Sequence, residues 1–349
     1  MDEILENVII DSWAKHFRRS PNQINKLHEA DVELVEMSAD LDFLLAATVD
    51  TVAEEILVGL YREGRTMGWV AISASLSDLA AVGAEPLGIV ISASVNAGRS
   101  EPLVAQIARG MEEACRSHGV FILGGDTNAT PDTSLTSCAL GLVPRNKYMT
   151  RIGCKPGDIV FATGRMGMGN GLGFVRLTGC PAVLFPEADY RPKARLKEGQ
   201  LIRDYASCCM DTSDGLFTTL DQLMRLNGLG FLVNCDWEKL VTPEIFTLCA
   251  KTQTPPWAML AGPHGEFELV FTVPPDRMIA FNERAEKEDL NPLRIGEVQQ
   301  QSQLTLLLPS SKKVEIDMSV LRNLLQNVSG DLKKYVTEFL AYGRERGLH

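Results

Sequence analysis

Thr66-Met67-Gly68-Trp69-Val70-Ala71-Ile72-Ser73-Ala74-Ser75-Leu76-Ser77-Asp78-Leu79-Ala80-Ala81-Val82-Gly83 is the stretch on which the reading of the fold turns. Trp69, Ile72, Leu76, Leu79 and Ala80 recur at helical spacing, so a helix is predicted over 66–82, and Gly83 is suited to the left-handed conformation that ends it. Asp78 lies inside this apolar helix, where a carboxylate needs a positive partner or a cleft. Upstream, Phe43-Leu44-Leu45-Ala46-Ala47-Thr48-Val49 is short and apolar and reads as a buried strand with Asp50 at its exit. Downstream come a strand over 87–94, a helix over 101–118 and the strand Val120-Phe121-Ile122-Leu123. A Gly124-Gly125-Asp126 turn is expected to end that strand, its glycines letting amide groups approach a phosphate.

The alternation continues after a strand over 134–143 and a turn over 153–157. Ile159-Val160-Phe161-Ala162-Thr163 reads as a strand, followed by a glycine-rich loop and a helix. Cys208-Cys209-Met210 reads as another, and Asp211-Thr212-Ser213-Asp214-Gly215 opens a helix over 216–226 with Ser213 or Asp214 as its N-cap. Strands are expected over 231–234, 268–273, 293–298 and 304–308, a helix over 277–287 and an amphipathic helical tail. The fold class is α/β of the α+β type, in two domains, 1–150 and 151–349.

Composition narrows the function. The 349 residues are 45% hydrophobic and 23% charged, ordinary for a soluble protein. A net charge of -11 argues against a nucleic-acid partner, which needs a basic face, and favours bound cations. The eight cysteines show no C-x-x-C pair, which fits a reducing cytoplasm rather than a disulfide framework. The acidic opening Met1-Asp2-Glu3-Ile4-Leu5-Glu6 and the lack of a long apolar run predict neither secretion nor membrane insertion.

Five short acidic motifs carry the chemistry: Glu29-Ala30-Asp31, Val49-Asp50-Thr51, Leu76-Ser77-Asp78-Leu79, Gly124-Gly125-Asp126-Thr127 and Asp211-Thr212-Ser213-Asp214-Gly215. Each alone is as readily a turn or a cap. Together they imply a cation site, because carboxylates about 5 Å apart repel by roughly 3 kcal/mol at an effective dielectric near 20. Hard oxygen ligands select Mg²⁺ shared with substrate phosphates, so a Mg²⁺-nucleotide enzyme is the first expectation. Arg151 and Lys155 are candidate phosphate contacts or plain surface cations. His264 is more simply a loop residue than a catalyst, and five scattered histidines make no zinc site. The segment 163–173 lacks the acidic strand end of a dinucleotide fold, and neither a Walker A sequence nor a nucleophile elbow is present.

In order, Asp50-Thr51, Gly68-Trp69 through Leu76-Ser77-Asp78-Leu79-Ala80-Ala81-Val82-Gly83-Ala84-Glu85-Pro86, Gly124-Gly125-Asp126-Thr127, Lys155-Pro156-Gly157-Asp158 and Asp211-Thr212-Ser213-Asp214-Gly215-Leu216 resemble the thiamine-monophosphate kinase family. That family lies within the aminoimidazole-ribonucleotide synthetase-like superfamily, and the likeness spans roughly 25–310. The resemblance implies a homodimer whose N-terminal sheets pair into a barrel, with ATP near the subunit boundary. It assigns Mg²⁺ to Asp31, Asp50, Asp78, Asp126, Asp211 and Asp214. Gly125, Asp126, Arg151 and Ser213 match ATP-contacting positions, and Glu266 a substrate-contacting one. The implied reaction is direct phosphoryl transfer from ATP to a small phosphorylated metabolite, thiamine phosphate, with no covalent nucleophile.

The chain departs from the pattern on the acceptor side. Glu29-Ala30-Asp31-Val32-Glu33 replaces Gly-Asp-Asp-Ala-Ala, and Leu57 stands where a His is usual. Pro263-His264-Gly265-Glu266-Phe267-Glu268-Leu269 replaces Gly-Gly-Glu-Asp-Tyr-Glu-Leu, Ala108 stands for a Tyr, and the tail lacks an aromatic ending. Two further readings therefore stand beside the kinase: an ATP-dependent synthetase-like relative acting on another metabolite, and a non-catalytic nucleotide-binding protein.

Overall fold

A computed structural model describes residues 4–96 and 101–348. Met1-Asp2-Glu3, the first half of the acidic opening, lie outside the described residues. The first half of the chain runs α1 (Leu5–Ala14), β1 (Glu33–Val35), β2 (Phe43–Thr51), α2 (Ala53–Leu57), α3 (Gly64–Val82), β3 (Glu85–Asn96), α4 (Glu101–His118), β4 (Ile122–Thr130) and β5 (Ser134–Pro144). Its five strands form one sheet in the order β1-β2-β5-β3-β4, with β4 at an edge and parallel to β3.

The predicted helix is α3, and Gly83 ends it with φ 74°. This helix is buried along nearly all its length, packing on β2 and β5 on one side and on α6 (Leu196–Ile202) and β7 (Cys208–Asp211) of the second half on another. Small residues make that possible. A Cβ on Gly68 would stand 2.0 Å from the Ile107 carbonyl oxygen of α4, and one on Gly199 of α6 would stand 2.1 Å from that of Ala80.

The second half contains β6 (Ile159–Ala162), α5 (Met168–Thr178), α6 (Leu196–Ile202), β7 (Cys208–Asp211), α7 (Leu216–Asn227), β8 (Gly230–Asn234), α8 (Trp237–Leu240), α9 (Pro243–Thr252) and α10 (Ala258–Ala261). It continues with β9 (Leu269–Val273), α11 (Met278–Lys287), β10 (Leu293–Gln299), β11 (Leu304–Leu307), β12 (Lys313–Ile316), α12 (Met318–Asn327) and α13 (Leu332–Arg346). Seven strands form the second sheet in the order β12-β11-β8-β10-β6-β9-β7. β9 lies between β6 and the edge strand β7 and is buried at every residue, as an apolar run covered on both faces should be. The amphipathic tail packs back on this half, Phe339 stacking on Trp257 at 5.0 Å between ring centroids.

Two local expectations are corrected. Gly124-Gly125-Asp126-Thr127 is not a turn but the middle of β4, held by backbone pairing to Val90, Ile91, Ser92 and Ala93. Register with β3 outweighs the weak strand preference of glycine. Neither Ser213 nor Asp214 caps α7. Gly215 is its N-cap, no side chain bonds the end of the helix, and the Ser213 carbonyl accepts from Gly265 N–H at 2.8 Å.

Candidate active site

Asp31, Asp78 and Asp211 come from a loop before β1, from α3 and from the end of β7, yet one oxygen of each lies within 4.8 Å of the others. Each is fixed by a neighbour. Thr48 Oγ1 on β2 donates to Asp78 Oδ2 at 2.6 Å, and Ser77 Oγ donates to Asp211 Oδ2 at 2.6 Å. Arg151 Nη2 donates to Asp31 Oδ1 at 2.9 Å, while Asp31 Oδ2 is buried with no hydrogen-bond partner. Thr48 and Asp50 are two apart on β2 and so point to the same side, placing Asp50 beside the three.

The electrostatics are those of acids short of counter-charge. Burial pushes the Asp50 carboxyl up to about 6, with the charges of Glu6 and Asp31 adding to it. Burial, then Asp50, Asp211 and Asp31, hold Asp78 well above the carboxylate range. Asp211 is pushed to about 7, first by burial and then by Asp31, against the Ser77 hydrogen bond. Asp214 is pushed to about 6 by burial and by Glu6, with Arg151 opposing. Arg151 is the cation paired with the group, through Asp31. Burial disfavours its charge, but Asp31, Asp78 and Asp211 more than offset that and push its pKa up.

A hard divalent cation fits this donor set. Mg²⁺ takes oxygens at about 2.0–2.1 Å, so ligands on one ion stand roughly 3 to 4 Å apart, and the three carboxylate oxygens lie within 4.8 Å of one another, close to that spacing. The unpartnered Asp31 Oδ2 is the buried atom such an ion would satisfy.

Other predicted residues lie elsewhere. Asp50 pairs with Ser137, Ser137 with Ile91 and Ile91 with Gly125, so Gly125 shares the row and face of Asp50, three strands or about 14 Å away. Asp126 therefore points to the opposite face. It is exposed, accepts from Asn128 Nδ2 at 2.7 Å, and stays outside the three-aspartate group within one chain. Ser213 is half-buried on the loop with Asp214, and Lys155 is exposed. Glu266 faces inward. Its Oε2 accepts from Gly167 N–H at 2.8 Å and Gly169 N–H at 3.3 Å, and burial, then Glu268, push its carboxyl up to about 8 against those amides. It shapes the glycine-rich loop.

Thr48 and Ser77 escaped the sequence reading. Ser77 stands next to Asp78, and Thr48 lies two residues before Asp50 on one strand face, so strand periodicity alone could have flagged the second. Tyr61 and His264, joined at 2.9 Å between Tyr61 Oη and His264 Nε2, were not predictable as a pair, being 203 residues apart.

Residues 32–143 match the family described as AIR synthase related protein, N-terminal domain. The thiamine-monophosphate kinase of Methanospirillum hungatei is 32% identical over 216 residues, covering 62% of this chain and 70% of that protein. That of Archaeoglobus fulgidus is 31% identical over 231 residues, covering 66% and 73%. The solved complex of AaThiL with AMPPCP and TMP shares the fold, with a TM-score of 0.72 at 24% identity over 90% of this chain and 98% of the other. On the extent and identity of these matches, the chain belongs to the thiamine-monophosphate kinase family.

Proposed function

We propose that this protein is an ATP-dependent kinase that converts thiamine phosphate and ATP to thiamine diphosphate and ADP. The observation that carries the reading is the convergence of Asp31, Asp78 and Asp211 around a buried, unpartnered carboxylate oxygen, in a chain of this family. Asp31, Asp50, Asp78, Asp211 and Asp214 would hold Mg²⁺, with Asp126 contributing from the sheet edge. When bound, the ions supply charge neutralisation along the triphosphate and the transferring phosphoryl group.

The chain's own groups do the rest. Thr48 and Ser77 fix the carboxylates, so little is reorganised when ligand arrives. Arg151, which donates to Asp31 Oδ1, would be the guanidinium that holds a phosphate oxygen of the nucleotide. Gly125 and Ser213 line the nucleotide. The acceptor is a phosphate already ionised at neutral pH, so no strong general base is needed.

The reading extends to assembly. Residues 1–150 form the domain that dimerises and 151–349 the second domain. On the first sheet Phe121 is 76% exposed, Leu123 58% and Leu87 52%, beside the unpaired edge of β4. An apolar edge of this kind invites a second copy, and pairing of two N-terminal sheets into a barrel would cover it and bring Asp126 to a subunit boundary. The protein acts in the cytoplasm, a reading supported by eight free cysteines and by the absence, among the described residues, of any helix long and apolar enough to cross a membrane.

Following the ³¹P resonances of ATP and thiamine phosphate mixed with Mg²⁺ and the protein tests the reaction. Growth of a new diphosphate signal together with ADP supports the kinase. Release of free phosphate only when an amide-bearing substrate is added points to synthetase-type chemistry, and tight binding of an ATP analogue without turnover to a non-catalytic binder.

A further inference from the structure

The connection between the two halves of the chain brings together two cysteines that the phosphoryl transfer does not use. Cys154 lies in it, three residues after Arg151, and Cys208 opens β7, three residues before Asp211. Both are free and buried. Cys209 N–H donates to the Thr150 carbonyl at 2.9 Å, so the connection runs along the outer edge of β7. A Cβ on Gly153 would stand 2.6 Å from the Ser207 carbonyl oxygen, and Lys155 N–H and Ser207 Oγ both donate to Asp158 Oδ2, at 3.0 and 2.6 Å. Cys154 is thus flanked on each side by a residue held against Ser207, the neighbour of Cys208.

The thiols themselves meet, Cys208 S–H donating to the Cys154 sulfur. That bond draws the Cys154 thiol below its ordinary value of 9.0, against burial and the Asp158 charge, and holds Cys208 well above it. Burial without such a partner pushes Cys235 up to about 12 instead. One sulfur is therefore prepared as a thiolate nucleophile and the other as the thiol that resolves it. The same segment carries Arg151. Asn227 Nδ2 donates to the Arg151 carbonyl and Asn227 Oδ1 accepts from Gly153 N–H, both at 2.9 Å, so Arg151 and the residue before Cys154 are clamped as one unit.

We propose that Cys154 and Cys208 form a reversible disulfide when a hydroperoxide oxidises them, and that this bond weakens the nucleotide site through Arg151 and Asp211. The Cys154 thiolate attacks one oxygen of hydrogen peroxide and the O–O bond breaks, leaving a sulfenic acid on Cys154 and a hydroxide that takes up a proton. Cys208 then attacks that sulfur, and the sulfenic oxygen leaves with the Cys208 proton as a second water. The two thiols give up two electrons, which the peroxide gains. A dithiol reductant returns both thiols by exchange. Hydrogen peroxide is little larger than water, which suits an attacking Cys154 that is 6% exposed while Cys208 is 0%. Bonding the sulfurs pulls the connection and β7 closer than van der Waals contact, and a close-packed interior passes that shift on to Arg151 and Asp211. The effect on nucleotide rests on the proposed role of those two residues; the disulfide itself does not.

Hydrogen peroxide added to the reduced full-length protein, followed by thiol alkylation and peptide mapping, tests the bond directly. Two of the eight cysteines should become protected, in one linked pair of peptides carrying Cys154 and Cys208, and dithiothreitol should release both. In calorimetry the oxidised protein should bind a Mg²⁺-ATP analogue about tenfold more weakly than the reduced one, a common size of coupling between a switch and a site. Cys154→Ser and Cys208→Ala should each keep the affinity of the reduced protein and hold it after peroxide. No linked pair in the folded wild type overturns the proposal. A linked pair whose analogue affinity equals that of the reduced protein also overturns it, as does an equal loss of affinity on peroxide treatment in both variants. Reduced protein that binds the analogue without phosphorylating thiamine phosphate overturns the kinase reading alone and leaves the redox pair standing.

Discussion

Two acidic segments of the same family pattern end up in opposite surroundings. Asp211, at the inner end of β7, is 2% exposed, bonded to Ser77 and surrounded by other aspartates. Asp126 lies on the edge strand β4, exposed on the sheet face away from Asp50. The first lies in a carboxylate cluster assembled within one chain. The second is suited to a site finished only when something covers the sheet edge. Burial is what separates them: it raises the cost of the Asp211 charge until a cation offsets it, while Asp126 is solvated either way.

Substitutions should separate the two segments. Asp211→Asn is expected to lower phosphoryl transfer by about 10² to 10³-fold, the scale of removing a ligand that stabilises transferring charge, without unfolding the protein. Near-normal turnover, measured with saturating Mg²⁺-ATP, would detach Asp211 from the chemistry. Asp126→Asn should weaken Mg²⁺-ATP binding about tenfold in calorimetry and leave the melting temperature unchanged. If affinity holds and stability falls instead, Asp126 is structural and the contrast between the segments collapses.

Acid titration sharpens the comparison further. The folded-state values of about 6 for Asp50 and Asp214 and about 7 for Asp211 lie above the ordinary carboxylate value of 3.8. A carboxyl raised by folding binds more protons in the folded state, so its contribution is complete below about pH 4 and is lost as pH rises towards 7. Metal-free protein should therefore lose stability, by something on the order of 1 kcal/mol or more, between about pH 4 and 7. Mg²⁺ should flatten that slope. A metal-free protein whose stability is constant over this range would mean that the aspartates carry no strain.

The smallest expected effect is at Asp78. Replacement by Asn should raise the metal-free melting temperature at pH 8 by a few degrees through relief of repulsion, keeping a polar partner for Thr48. A large fall would assign Asp78 a structural role instead.

Much of this arrangement was legible in the sequence because it follows from local rules. The apolar spacing of α3, its glycine stop and the strand ending at Asp50-Thr51 depend on residues within a few positions of each other. What escaped depends on long-range pairing. Gly124-Gly125-Asp126-Thr127 has turn composition, and only its register with β3 makes it a strand. Ser213 and Asp214 have capping side chains, but the loop is drawn instead onto Gly265. The bonds that Glu266 makes to the amides of the glycine-rich loop join residues about 100 positions apart, which no local pattern announces. The Tyr61 and His264 pair joins two loops that no local pattern connects.

The central claim is that Asp31, Asp78 and Asp211 grip a divalent ion together with a triphosphate. Mn²⁺ bound in place of Mg²⁺, read by electron paramagnetic resonance with an ATP analogue, tests it most directly. The account predicts a tightly bound Mn²⁺ signal that needs the nucleotide and is lost in Asp211→Asn. Equal Mn²⁺ binding in wild type and Asp211→Asn would contradict it.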